Sequence, residues 1–376
     1  MQKKCTALRF VSALLLFTLA AVFSNSGYAQ VKNVLYGEQY VSDKLCIHFD
    51  KNGSVYPDFL IPDSLLEICE ASLDTFYAKH PSYFKEIARH YNLTDSLCSV
   101  LSVSILHDSI RSAILKKITI TFNEETPLTF IIHGFRKSYR NKEGVFTSVL
   151  DYQILEDALK GQNLSSGYVR IFWDGMYSDI RLNRKKIKAV LSTFVKSQVN
   201  AANAAVGLRK IITALPHQHL NLISHSLGAK VICSTLFDTT ANTSPTPSQK
   251  KINICLVAPA IDADVFKNYF SRNSMVNYKK ADNYRLLILY NEKDFVLRKR
   301  DNVIGLFGPG PRRYGKTTLG CNCRNDIQKL HLLFHEKFPS SVIQTVNMTA
   351  LIGKCHHLRC YYYVDHLKEA VLFMQQ

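Results

Sequence analysis

From about residue 116 the sequence alternates short, almost wholly apolar runs with longer stretches that carry apolar residues at helical spacing, and this alternation restricts the fold more than any other feature. An apolar run without intervening polar positions is a strand buried on both faces, which is the situation in a parallel sheet covered by helices on both sides. The strand candidates are Ile118 to Phe122, Leu128 to His133, Tyr168 to Trp173, Leu220 to Ser224, Ile252 to Ala258 and Arg285 to Tyr290. Helical spacing predicts helices over Leu150 to Lys160, Ile187 to Leu215, Leu227 to Asp238 and Leu367 to Met374. The predicted class is therefore α/β, with a mostly parallel sheet and helices on both faces. At 376 residues and 47% hydrophobic, the chain has ample material for a core, which excludes a largely disordered state.

Residues 30 to 115 read differently. Lys44 to Phe49 and Ser54 to Tyr56 flank Asp50-Lys51-Asn52-Gly53, whose Asn-Gly pair favours a tight hairpin turn, and apolar residues at helical spacing follow (Leu66, Cys69, Leu73, Phe76; Tyr83, Phe84, Ile87, Tyr91). This stretch is expected to be an accessory region of a hairpin and helices, with the main domain over 116–376. The polar stretch Thr239 to Lys250 and the basic, glycine-rich Val296 to Cys323 are expected to be loops.

The first 29 residues form a leader. Lys3, Lys4 and Arg9 precede a 14-residue apolar run from Phe10 to Phe23, and Gly27-Tyr28-Ala29 places small residues where a signal peptidase reads them. Cleavage after Ala29 and a secreted or periplasmic location are expected. An amino-terminal anchor is the second reading, although the run is short for a bilayer. In an oxidising compartment the cysteines become disulfide candidates, above all Cys321, Cys323, Cys355 and Cys360, whereas Cys233 and Cys255 sit in apolar segments and are expected to pack as small hydrophobes. Sequons occur at Asn52, Asn92, Asn163, Asn242 and Asn347.

Chemistry concentrates at one turn. The strand Leu220 to Ile223 runs into Ser224-His225-Ser226-Leu227-Gly228-Ala229 and then into a helix, with Ser226 at the apex. A nucleophilic serine needs such a place, because the turn projects its hydroxyl off the sheet and the next amide points to where an oxyanion forms. The pentapeptide Ser224 to Gly228 resembles the Gly-x-Ser-x-Gly elbow of the α/β-hydrolase superfamily, especially its lipases and esterases, with Ser224 in place of the first glycine. Ile132-His133-Gly134-Phe135 before it and Ala258-Pro259-Ala260-Ile261-Asp262-Ala263-Asp264 after it are similar to an uncharacterised bacterial branch of that superfamily.

The resemblance covers residues 116 to 376 and has no counterpart to 30–115, which it leaves to act as a cap. It implies an oxyanion hole from the backbone amides of Phe135 and Leu227, and a triad in the order serine, acid, histidine. Asp294, in the loop after the strand ending at Tyr290, is the expected acid, with Asp262 and Asp264 as alternatives that could equally cap a helix. His366, just before the last predicted helix, is the expected base, with His356 and His357 less well placed. The implied function is an exported serine hydrolase cleaving a carboxylic ester, with a thioester or amide as the other substrates, through an acyl-enzyme and without a cofactor. A catalytically silent ligand- or protein-binding module of the same fold is the alternative.

Other signals are weaker. Gly310 to Thr317 formally matches a phosphate-binding loop but lacks the buried strand and following helix such a loop requires. Cys321, Cys323, His331, His335, Cys355, His356, His357 and Cys360 could supply metal ligands, but their spacing matches no zinc pattern, so no metal is expected. Lys+Arg is 47 against Asp+Glu 30, a charge of +17. Arg136, Lys137, Arg140 and Lys142, with Arg298, Lys299, Arg300, Arg312, Arg313 and Lys316, would gather at the carboxyl ends of the strands. This suits an anionic small-molecule or lipid ester and contact with an anionic membrane surface, and nothing points to nucleic acid as a partner.

Overall fold

The computed structural model describes residues 31–32, 44–57, 72–93, 102–135, 148–175, 177–178, 187–238, 250–272, 284–297, 319–322, 325–362 and 364–376. The expected leader 1–29, the basic clusters of 136–142 and 298–316, the Gly310 to Thr317 motif, the expected loop over 239–249 and Cys69, Cys98 and Cys323 lie outside the described residues.

The strands are β1 (Val31–Lys32), β2 (Leu45–His48), β3 (Leu128–Ile132), β4 (Gly167–Phe172), β5 (Tyr177–Ser178), β6 (His219–His225), β7 (Lys251–Val257), β8 (Tyr284–Tyr290) and β9 (Val342–Asn347). The helices are α1 (Leu73–Lys79), α2 (Pro81–His90), α3 (Val103–Thr121), α4 (Ser148–Gly161), α5 (Ile187–Ala214), α6 (Gly228–Phe237), α7 (Ala263–Arg272), α8 (Asp326–Lys337), α9 (Thr349–Ile352) and α10 (Val364–Gln375). Seven strands form one sheet in the order β2-β4-β3-β6-β7-β8-β9, every neighbouring pair parallel. The central strands β3, β4 and β6 to β8 are those read from the apolar runs, and they are almost entirely buried.

Because side chains alternate along a strand, the sheet has two distinct faces. On one, Thr129, Asn221, Asn253 and Arg285 stand in register across β3, β6, β7 and β8. Asn221 Nδ2 donates to Thr129 Oγ1 (3.2 Å), and Asn253 Nδ2 donates to Asn221 Oδ1 (2.9 Å) and to the Met374 carbonyl (3.0 Å). Arg285 Nη1 donates to the Phe373 carbonyl (2.7 Å). This buried polar row fastens the end of α10 near the amino ends of β7 and β8, so α10 descends the sheet away from the carboxyl ends of the strands. A second buried pair, Arg170 Nε to Glu156 Oε1 at 2.6 Å, ties β4 to α4.

Three expectations need correction. Ile118 to Phe122 is not a strand: residues 118–121 complete α3, in which Leu106, Ile110, Ile114 and Ile118 are buried while Ile120 is exposed. A spacing of four places those buried side chains on one helix face, and this outweighs the strand preference of the Ile-Thr-Ile-Thr run. The described part of residues 30–115 is also not separate from the main sheet. β2 is an edge strand of the main sheet, parallel to β4, and the boundary at 115/116 falls inside α3. The Asn52-Gly53 turn does form, with Phe49 and Val55 bridged antiparallel and Gly53 N–H donating to the Asp50 carbonyl (3.0 Å). Beyond the strands that the apolar runs predict, β9 follows β8 as the opposite edge strand.

Candidate active site

β6 ends at His225, and Ser226 takes the left-handed conformation (φ +53°) before α6 begins at Gly228. A non-glycine residue adopts this conformation only when its surroundings hold it there. They do: Ser226 N–H donates to the Val257 carbonyl (2.9 Å), and the Ser226 carbonyl accepts from Ala260 N–H (3.0 Å) and Ala229 N–H (3.2 Å). The turn also requires small neighbours. A Cβ on Gly228 would lie 2.6 Å from the His133 carbonyl oxygen, and one on Gly134 would lie 2.9 Å from Ser226 Cβ. Ser224, where the resemblance expects glycine, fits as a buried residue paired with Ile132 on β3.

Ser226 Oγ lies 3.1 Å from His356 Nε2, and His356 Nδ1 lies 2.6 Å from Asp294 Oδ2. Asp294 is fully buried in the turn after β8, and its Oδ1 accepts from the N–H groups of Val296 (2.8 Å) and Leu297 (3.0 Å). A carboxylate accepts only, so His356 Nδ1 carries a proton toward it and Nε2 is left to accept from the serine hydroxyl. The arrangement can abstract a proton from Ser226 and stabilise the resulting imidazolium.

Ser226 and Asp294 are the residues expected from sequence, but the histidine between them is His356 rather than His366. The cause is β9. That extra strand and α9 carry the chain back over the carboxyl ends of the sheet, so the segment that reaches the serine is 353–357. His366 follows later, within α10, and its side chain lies outside the described residues. His357 is exposed beside His356. Asp262 accepts from Val265 N–H (3.2 Å) at the start of α7, the capping role weighed above, and Asp264 is exposed in that helix's first turn.

The oxyanion candidates flank the nucleophile. Leu227 is buried directly after Ser226, and among the described residues its N–H donates to no acceptor. Phe135 follows Gly134 and packs edge-on against Phe194 at 5.2 Å between ring centroids. His133 holds this loop rather than reacting: its N–H donates to the Tyr152 hydroxyl oxygen (2.7 Å), its carbonyl accepts from Trp173 Nε1–H (2.8 Å), and its ring stacks on Trp173.

Sequence reasoning missed what holds His356. Asn291, fully buried, donates through Nδ2 to the carbonyls of Gly353 (2.9 Å) and Cys355 (3.0 Å), and His225 Nε2 lies 2.8 Å from the His356 carbonyl oxygen. A Cys355–Cys360 disulfide closes a loop around His356 and His357. A histidine pair between two cysteines five apart was the available signal. Both cysteines of this disulfide are thereby removed from any metal-ligand set. Cys321 Sγ–H donates to the Leu297 carbonyl (3.4 Å), while burial raises the Cys233 thiol pKa far above its usual range and pushes that of Cys255 up to about 12. No described helix is long and apolar enough to cross a membrane.

The model of the family described as alpha/beta hydrolase of unknown function (DUF900) matches residues 114–301, half of the chain. The chain belongs to this alpha/beta hydrolase family. Ser226 and Asp294 lie inside the matched region, and His356 lies beyond it. No curated protein matches the chain. Among solved structures it is similar to the dienelactone hydrolase-like promiscuous phosphotriesterase P91 from metagenomic libraries (8% identity, TM-score 0.34, covering 68% of this chain and 88% of that one). It is also similar to the thermophilic esterase Est2 of the planctomycete Thermogutta terrifontis (11%, 0.30, covering 67% and 80%) and to a puromycin-hydrolysing peptidase of Mycobacterium tuberculosis (13%, 0.33, covering 67% and 35%).

Proposed function

We propose that this protein is a serine hydrolase that cleaves a carboxylic ester through an acyl-enzyme. The observation that carries the reading is the continuous hydrogen-bonded chain Asp294–His356–Ser226. Ser226 Oγ attacks the carbonyl carbon while His356 Nε2 takes its proton, and Asp294 holds the imidazole in the required tautomer. The N–H groups of Leu227 and Phe135 receive the developing oxyanion, each such donor contributing about 10²- to 10³-fold in rate. His356 then protonates the departing alkoxide, and water repeats the sequence to release the acid. The intact triad favours an enzyme over a silent binding module. The leader and the Cys355–Cys360 disulfide support export into an oxidising compartment, and the positive charge of the chain supports an acidic small-molecule or lipid ester as substrate.

The test is labelling by a fluorophosphonate probe together with hydrolysis of p-nitrophenyl esters. Labelling should vanish in Ser226→Ala, and turnover should fall by at least about 10³-fold in His356→Ala while His366→Ala stays within a few-fold of wild type. Folded wild-type protein that neither labels nor turns over would sink the proposal.

A further inference from the structure

His225 occupies the variable position of the elbow, immediately before the nucleophile, and nothing in the reaction described above uses it. Its side chain is nevertheless placed with care. The residue is 5% exposed; its ring lies 5.0 Å from the His356 ring at a tilt of 45° and sends Nε2 to within 2.8 Å of the His356 carbonyl oxygen across 131 residues of sequence. A carbonyl only accepts, so Nε2 of His225 carries the proton and donates. On its other side the ring lies against the oxyanion loop, since a Cβ on Gly134 would sit 3.3 Å from His225 Nδ1.

We propose that His225 is a positioning residue that sets the reach of His356 to Ser226 by holding the His356 carbonyl. The inference rests on the reading of Ser226 and His356 as the reacting pair. The carbonyl belongs to the backbone unit from which the His356 imidazole hangs. Once that unit is fixed, two side-chain torsions remain, and the Asp294 bond to Nδ1 restrains both. The clamp is needed because residues 353–357 lie between α9 and the short 3₁₀ turn Leu358–Tyr361, without a strand or helix of their own. Asn291 holds the segment before His356, at Gly353 and Cys355, whereas His225 holds the residue itself. Tethering the clamp to the residue adjoining Ser226 makes the distance between base and nucleophile independent of movements elsewhere in the loop. An error of about 1 Å in that distance costs on the order of 10²-fold in rate.

Three substitutions separate the hydrogen bond from simple packing. His225→Phe keeps a planar ring and removes the donor, His225→Gln keeps an amide donor near the position of Nε2, and His225→Asn has a donor too short to reach. With p-nitrophenyl acetate, the expected result is that Phe and Asn lower kcat by about 10²-fold with KM within about threefold of wild type, whereas Gln stays within about fivefold. Melting curves confirm that each variant is folded, and if Phe does not fold, the contrast between Gln and Asn decides. Wild-type kcat in His225→Phe, or a loss in Gln as large as in Asn, overturns the proposal. An independent readout is the low-field proton resonance of His356 Nδ1–H on Asp294, followed in wild type and variants. It should persist in Gln and broaden or vanish in Phe; an unchanged resonance in folded Phe refutes the clamp. Should wild-type protein turn over no ester, the hydrolase reading fails, and the resonance alone still decides whether His225 positions His356.

Discussion

Alanine at position 228 would place a methyl carbon 2.6 Å from the His133 carbonyl oxygen and 2.9 Å from that of Ile132, where ordinary contact begins at 3.4 Å. Both obstacles are backbone, so no side chain can swing aside, and the start of α6 and the end of β3 must separate by about 0.8 Å. Each partner is braced against that movement. His133 is held through its N–H by Tyr152 and through its carbonyl by Trp173, while the turn before α6 is held by Val257 and Ala260. Overpacking of this kind costs about 1–3 kcal/mol, a fall in Tm of roughly 1–4 °C for a chain of this size. The kinetic effect should be larger. Leu227 precedes Gly228 and Phe135 follows the displaced His133, so the separation widens the gap between the two proposed oxyanion donors. Losing one of them costs about 10²- to 10³-fold in kcat. Ester hydrolysis and a thermal melt of purified Gly228→Ala measure both effects. The reasoning is refuted if the folded variant keeps kcat within about twofold of wild type, because a clash this rigid cannot be absorbed without moving one donor.

Two further perturbations test other parts of the structure. Reducing the Cys355–Cys360 disulfide with a dithiol, or replacing both cysteines by serine, removes a short closure that contributes about 2 kcal/mol by chain entropy; ester turnover should fall with it because His356 lies inside the loop, and unchanged turnover after alkylation of both thiols is verified by mass would contradict this. Burial holds the His48 imidazole pKa down to about 3 from 6.5, so between those pH values the unfolded chain binds a proton that the native protein refuses, and stability falls as pH drops. Urea unfolding at pH 7 and pH 4.5 should differ by about 2–3 kcal/mol more in wild type than in His48→Phe, and equal differences in the two proteins would count against it.

The parts of the fold legible in the sequence are those whose signal is local. β3, β4 and β6 to β8 announce themselves because a strand covered on both faces is mostly apolar, with only isolated polar positions such as Thr129, Asn221 and Asn253, and Ser226 stands out because its turn demands small neighbours on the helix side. Asp294 follows from its place after a late strand. β9 is hidden for the opposite reason: at the sheet edge its residues are only partly buried, and Gln344, Thr345 and Asn347 dilute the apolar run. That omission displaced the histidine, since an order argument without β9 places the returning loop one segment too late. The Ile118 to Phe122 error has a different origin, a local strand preference overruled by packing that only the neighbouring helix and sheet reveal. The contacts that orient His356 span 62 to 131 residues and have no local signature.

Ser226 and His356 are 130 positions apart, and three strands of the sheet are laid down in that interval. The elbow needs Val257 and Ala260, at and just beyond the end of β7, to hold its shape, and the proposed base comes later still. On the proposed mechanism the serine has no base during synthesis until β8 and β9 have been made, and its hydroxyl becomes a nucleophile only once the segment after β9 is in place. A half-made molecule would then lack the proposed activity, and labelling of Ser226 would report that the carboxy-terminal third has folded.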